Sequence, residues 1–140
     1  MLSEEVIKPL FDKCAEDGSI RVWVAGCATG EEAYSIAMLI LEEAARRSSS
    51  VNVQIFASDM DQGALAVARE GRYLKSIEED VSDERLRRFF IAEGIHYRIR
   101  KEVRELILFT NHSVLKDPPF IRVDLISCRN LLIYLERELQ

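Results

Sequence analysis

A chain of 140 residues, 48% apolar and 31% charged, is sized and composed for one folded domain with its own core, which excludes an intrinsically disordered segment. Its net charge of −5, from 24 acids against 19 bases, excludes the cationic surface of a general nucleic-acid binder. Apolar runs such as Val22–Ala25 and Ile36–Leu41 fall far short of the ~20 residues of a membrane span, so no membrane insertion is expected.

Met1-Leu2-Ser3-Glu4-Glu5 lacks the basic and apolar regions of a secretory signal. Ser3 with Glu4 and Glu5 opens a helix in which Val6, Ile7, Leu10, Phe11 and Cys14 recur at helical spacing, and Gly18 stops it. Residues 20–25 form a short β-rich run that reads as a strand buried on both faces. Gly26–Gly30 breaks it. A helix follows from Glu31 to Arg47, with Ala33, Ile36, Ala37, Ile40, Leu41 and Ala44 on one stripe. The Ser48-Ser49-Ser50 loop leads to a second strand over Val51–Ala57 that ends at Ser58-Asp59. Asp61–Glu70 reads as a helix capped by Asp61 and Gly71. This alternation predicts βαβ units on an open, doubly wound parallel sheet, in an α/β domain made of a leading helix (residues 1–18) and a core (residues 20–140).

Further on, Ser82-Asp83-Glu84-Arg85 opens a helix carrying Leu86, Phe89 and Phe90, closed by Gly94. Ile95–Arg100 alternates like an exposed strand, and Leu106–Thr110 is a third core strand. Asp117-Pro118-Pro119-Phe120 is a turn. Val123–Cys128 is a fourth core strand, and Asn130–Gln140 begins a helix. Four parallel strands are about half of a typical doubly wound sheet. The last of them is expected to be an uncovered edge, which implies a longer chain, a dimer or strand exchange. Arg85, Arg87, Arg88, Arg98, Arg100, Lys101 and Arg104 read as a solvated face interrupted by Glu93 and Glu102. Three widely spaced cysteines without a CxxC pair (Cys14, Cys27, Cys128) read as reduced thiols of a cytoplasmic protein. His96 and His112 have no metal-ligand spacing, so no metal site is expected.

Chemistry is carried by Gly26-Cys27-Ala28-Thr29-Gly30-Glu31-Glu32, between the first strand and its helix, where open α/β sheets bind ligands. Small residues at Gly26, Ala28 and Gly30 let a ligand approach the backbone. The spacing matches neither the dinucleotide G-x-G-x-x-G nor a P-loop. A helix N-terminus attracts phosphate, but Glu31 and Glu32 repel it and favour a cation: a ligand with an ammonium group and a sulfonium centre fits, and NAD or ATP does not. Thr29-x-x-Glu32 also matches a capping box, which would leave Glu32 a structural role only. Asp59, ending the second strand, is placed for ribose hydroxyls. Asp61 is the competing acid, better used as a helix cap.

Arg21–Met38 resembles the first motif of CheR-type chemotaxis methyltransferases, Phe56–Asp61 their second, and Val123–Leu135 their fourth-strand motif. Asn111–Phe120 is most similar to forms fused to a CheB-type methylesterase and PAS modules. The resemblance implies a Rossmann-like class I methyltransferase fold, incomplete here, with its last strands beyond Gln140. The activity implied is methyl transfer from S-adenosyl-L-methionine to glutamates of receptor signalling helices, leaving S-adenosyl-L-homocysteine. Glu32 would hold the methionine ammonium and Asp59 the ribose. Ser113 and Val114 would lie beside the adenine, and Arg129 and Asn130 would line the methionine end. Tyr134 would face methyl transfer together with Arg129. Apart from the family, Tyr134 reads as a packing residue and Arg129 as a strand-end charge. A T-x-F-F-R segment that supplies an arginine near the reacting centre is expected to precede this region. A small β-subdomain that tethers receptor tails is expected beyond Gln140. Two other readings stand beside this one: a non-catalytic sensory module that binds the cofactor weakly or not at all, and a nucleotide-binding oxidoreductase fragment.

Overall fold

The computed structural model describes residues 7–14, 18–47, 52–111, 124–128 and 131–134. A short helix, α1 (Lys8–Cys14), precedes β1 (Ser19–Ala25), α2 (Glu31–Arg46), β2 (Asn52–Asp59) and α3 (Gln62–Glu70). Next come β3 (Arg72–Leu74), a 3₁₀ turn (Lys75–Glu79), α4 (Asp83–Phe89), β4 (Phe90–Glu93), β5 (His96–Ile99) and α5 (Lys101–Arg104). The chain returns to the main sheet with β6 (Ile107–Asn111), β7 (Leu125–Cys128) and β8 (Leu131–Tyr134). The main sheet runs β6-β2-β1-β7-β8. Its first four strands are parallel, as the βαβ pattern predicts, and β8 is antiparallel to β7.

Both crossovers, β1 to β2 and β2 to β6, step in the same direction, and right-handed connections then place their helices on the same face. Ile20, Val22 and Val24 of β1 stand beside Val53, Ile55 and Ala57 of β2, with Ile107 and Phe109 of β6 next in line, and all are buried on that face. The opposite face carries Arg21, Trp23, Gln54, Phe56 and Leu108, which are half-buried or exposed. The expectation of a strand buried on both faces is therefore corrected, and Trp23 is not a core residue: its indole lies half-buried with Nε1 donating to Ser58 Oγ at 3.0 Å. Helix α2 buries more than one stripe. Tyr34, Met38, Leu39 and Glu43 join Ala33, Ile36, Ala37 and Ile40 inside, whereas Leu41 and Ala44 are only partly covered.

Several boundaries follow side-chain chemistry as read from the sequence. Asp61 caps α3 by accepting from Ala64 N at 3.2 Å, and Gly71 ends it in the left-handed conformation. Ser82 caps α4 by accepting from Arg85 N. Phe90 and Gly94, however, do not belong to that helix: Phe90 begins β4, and Gly94, at φ 60°, turns the β4–β5 hairpin.

A three-stranded antiparallel sheet, β3-β5-β4, thus lies inside the β2-to-β6 crossover. Of its three strands the sequence anticipates only β5, within Ile95–Arg100. Two arginines of this crossover serve as ties: Arg85 of α4 forms a two-pronged pair with Glu42 of α2, both bonds 2.8 Å, and Arg98 of β5 donates to Glu70 O.

Two expectations at the end of the chain are also corrected. Leu131–Tyr134 is a strand, not a helix, and it pairs along β7 with Leu125 opposite Tyr134. The edge of β7 expected to be uncovered is occupied by β8. The Ser48–Ser50 loop and the Asp117–Phe120 turn lie outside the described residues.

Candidate functional site

The parallel strands deliver their carboxyl ends to one side of the sheet, with Ala25 beside Ser58 and Cys128, and Asp59 beside Asn111. This is the crevice where open α/β sheets take ligands. The loop after β1 is folded onto the end of β2 by two hydrogen bonds. Cys27 N donates to Ser58 O at 2.9 Å, and Ala28 N donates to Asp59 Oδ2 at 2.9 Å. Asp59 Oδ1 accepts from Asp61 N, also at 2.9 Å. Gly30 N donates to Cys27 O at 2.9 Å and closes a tight turn through Ala28, whose φ of 50° is unusual for a residue with a side chain.

Gly30 is the junction between loop and helix, and its φ of 95° is open only to glycine at low cost. A Cβ there would also lie 2.9 Å from Ala68 Cβ and 3.2 Å from Tyr73 Oη. Tyr73 Oη donates to Thr29 O at 2.7 Å, while Tyr34 Oη donates to Ala68 O at 2.6 Å, and the two rings meet edge-on at 6.2 Å. Burial raises the pKa of both phenols well above the usual tyrosine value.

The N-cap of α2 is Gly30, with no side-chain cap. The Thr29–Glu32 capping box is therefore not formed: the Thr29 hydroxyl donates to the Glu31 carboxylate, and Glu32 accepts no hydrogen bond from any described residue. Glu31, Glu32, Asp59 and Asp61 give the mouth a negative field, offset in part by Arg69, which donates to Phe109 O at 3.1 Å and whose charge reaches the Cys27 thiol. Cys27 is buried, and its thiol pKa is pushed up to about 11, chiefly by burial and next by the charge of Asp59. It is a packing residue, and the charge of Glu31 also opposes its ionisation. Among the described residues no group of His, Cys, Asp and Glu forms a metal cluster, and no helix is long and apolar enough to cross a membrane.

Of the predicted site residues, Gly26, Ala28 and Gly30 lie in one loop that is fastened to Asp59, and Glu32 lies in the first turn of the helix that the loop opens. Ser113, Val114, Arg129 and Asn130 lie outside the described residues. Tyr134 is placed on β8, and its side chain is outside the description. Sequence reasoning missed Ser58, Tyr73 and Asn111. Ser58 and Asn111 carry a signal, since each is a polar residue at the end of an apolar run. Tyr73 carries none, because its hydroxyl acts on a residue 44 positions away.

An open parallel sheet, an acidic glycine turn after its first strand and an aspartate ending its second define a nucleoside-cofactor domain suited to a cationic ligand. The model of the family "CheR methyltransferase, SAM binding domain" matches residues 1–140. An uncharacterized 104.1 kDa protein in the hypE 3' region of Rhodobacter capsulatus is 44% identical over 139 residues, which cover 99% of this chain and 15% of that protein. A chemotaxis protein methyltransferase of Listeria innocua is 35% identical over 138 residues, 99% of this chain and 50% of that one. One from Salmonella typhimurium is 35% identical over 133 residues, 88% of this chain and 44% of that one. The chain belongs to the CheR methyltransferase SAM-binding family, and its cofactor is S-adenosylmethionine. It spans about half the length of the two chemotaxis methyltransferases it matches.

Proposed function

We propose that this chain supplies the cofactor half of a protein-glutamate O-methyltransferase that esterifies glutamates on the cytoplasmic signalling helices of chemotaxis or sensory receptors. The observation that carries the reading is the acidic Gly26–Glu32 turn, fastened to Asp59 at the carboxyl end of the sheet. Its donor set fits the cofactor: a phosphate would meet four carboxylates there, whereas an ammonium and a sulfonium find opposite charge. Glu32, which accepts from no described residue, is assigned the methionine ammonium, and Asp59 the ribose hydroxyls. Gly26, Ala28 and Gly30 give the ligand access to backbone. Ser113 and Val114 are assigned to the adenine, Arg129 and Asn130 to the methionine end, and Arg129 with Tyr134 to the transfer site.

Bound S-adenosylmethionine supplies an electrophilic methyl group on sulfur. The protein has little proton chemistry to perform, because a receptor glutamate with a pKa of about 4.3 is already ionised at pH 7. Its contribution is to hold two reactants in line and exclude water, and effective molarity of that kind is worth roughly 7–11 kcal/mol. Glu32 and Asp59 would hold the cofactor, and its sulfonium would supply the methyl group and carry away the carbon–sulfur bonding pair as a sulfide. The small sheet β3-β5-β4 is the candidate tether for receptor tails. The match to 15% of a 104.1 kDa protein supports a multidomain setting.

Calorimetric titration with S-adenosylhomocysteine tests the cofactor site, and methylation of receptor in the full chain and in residues 1–140 tests the enzyme. Saturable binding with turnover by the full chain is expected. Binding without turnover in either form would favour the non-catalytic module. Preference for NADH would overturn the site itself.

A further inference from the structure

We infer that Tyr73, on the small sheet, is a positioning residue for the cofactor loop: it locks the Thr29–Gly30 peptide plane in the orientation that the site needs. The inference rests on the cofactor reading above. The C=O of Thr29 and the N–H of Gly30 belong to one trans peptide unit and so point in opposite directions. Each end is held by a different partner. The carbonyl accepts from Tyr73 Oη at 2.7 Å, and the amide donates to Cys27 O at 2.9 Å. This plane joins the turn to α2 at a glycine, the residue type with the widest choice of backbone angles.

Steric contact alone restrains it from one direction, because Ala68 fills the place of a Gly30 side chain. Rotation of the peptide about its long axis is opposed by the two hydrogen bonds. Without the Tyr73 hydroxyl, the Thr29 carbonyl loses its partner in a half-buried setting and the plane is free to turn. A turned plane redirects a carbonyl and an amide at the floor of the crevice, between Ala28 and Glu32. Tyr73 touches no reacting atom in this scheme; it acts through the loop.

Tyr73 itself is well placed for the task. Its ring stands edge-on to Tyr34, whose own hydroxyl is tied to Ala68 O, so ring, helix α3 and loop form one packed unit. Tyr97, on the neighbouring strand of the same small sheet, is an internal control. It stands directly opposite Tyr73, but its hydroxyl donates to Glu78 at 3.0 Å in a solvent-exposed bond and to no described residue of the loop.

The test compares Tyr73→Phe and Tyr97→Phe in the full chain, since each keeps its ring and loses only a hydroxyl. Calorimetry with S-adenosylhomocysteine should show a Kd about five- to tenfold higher for Tyr73→Phe and unchanged for Tyr97→Phe, a loss in the range of one hydrogen bond. Hydrogen exchange on the ligand-free proteins should show faster exchange in the peptide covering residues 26–34 for Tyr73→Phe only. Unchanged affinity and exchange in Tyr73→Phe would overturn the inference, as would an equal effect of Tyr97→Phe. If the unaltered protein fails to bind, the cofactor reading falls, and the exchange comparison still decides whether Tyr73 holds the loop.

Discussion

Asp59 Oδ2 stands 2.9 Å from the amide nitrogen of Ala28 and accepts its hydrogen, so the end of the second strand holds the middle of the loop that follows the first. The bond lies where Ala28 adopts a φ of 50°, a conformation that costs a residue with a Cβ roughly 1–2 kcal/mol. One carboxylate therefore keeps a strained turn in place and, on the proposed function, also serves the ribose hydroxyls.

Replacing that acid separates a binding residue from a bystander. Asp59→Ala should raise the Kd for S-adenosylhomocysteine at least tenfold, measured by titration calorimetry. Asp59→Asn, which keeps one carbonyl acceptor, should fall between the two. Equal affinity in all three proteins would remove Asp59 from the site.

Gly30→Ala should be among the most damaging single changes in the loop. The added Cβ meets Ala68 Cβ at 2.9 Å, and a φ of 95° is strained for alanine, a combined penalty on the order of 1–3 kcal/mol. Urea unfolding should show a lower midpoint, and the folded fraction should bind cofactor poorly. A variant with normal stability and affinity would mean that the junction is not as tightly packed as described.

Glu43 gives a pH signature. Its carboxylate is buried in α2 and is held by Arg47 at 2.6 Å and Arg46 at 2.7 Å, and these hydrogen bonds, Arg47's first, lower its pKa below the ordinary 4.5. The unfolded chain then binds more protons than the folded one as the pH falls past that value. The stabilisation is full above about 4.5 and disappears as the carboxylate protonates at lower pH. Glu43→Gln should cost about 1–2 kcal/mol at pH 7, and the deficit should shrink toward pH 3. Denaturant midpoints of both proteins across that range check it; a deficit independent of pH would contradict the pairing.

Cys27 should be chemically quiet. With a thiol pKa of about 11, its thiolate fraction at pH 8 is about a hundredfold below that of an ordinary cysteine. Site-resolved mass spectrometry after mild alkylation should find Cys27 unmodified under conditions that label a small thiol completely. Rapid labelling would mean that the loop opens.

Where the fold was legible in the sequence, the determining chemistry was local. Asp61 and Gly71 bracket α3 because a carboxylate caps an amide and a glycine tolerates positive φ, and both acts happen within one turn. Leu131–Tyr134 was misread because four apolar residues fit strand and helix alike, and only the partner strand β7 decides between them. Phe90 was misread for a related reason: it completes the apolar pattern of α4, yet the chain turns there into the β4–β5 hairpin. Glu32 was legible as a charge but not in its local role, since the choice between capping box and open carboxylate depended on Gly30 taking the cap. The role of Tyr73 had no local pattern at all.

The small sheet leaves and rejoins the main fold at nearly one point, because Ile99 N donates to Gly71 O at 2.8 Å across its base. A segment closed at its neck in this way is exchangeable: it can lengthen, shrink or change its outer surface while the register of β2 against β6 stays as it is. On the proposed function, its outer surface can be remodelled for different receptor tails without disturbing the cofactor loop, provided the phenol that reaches back to Thr29 is retained.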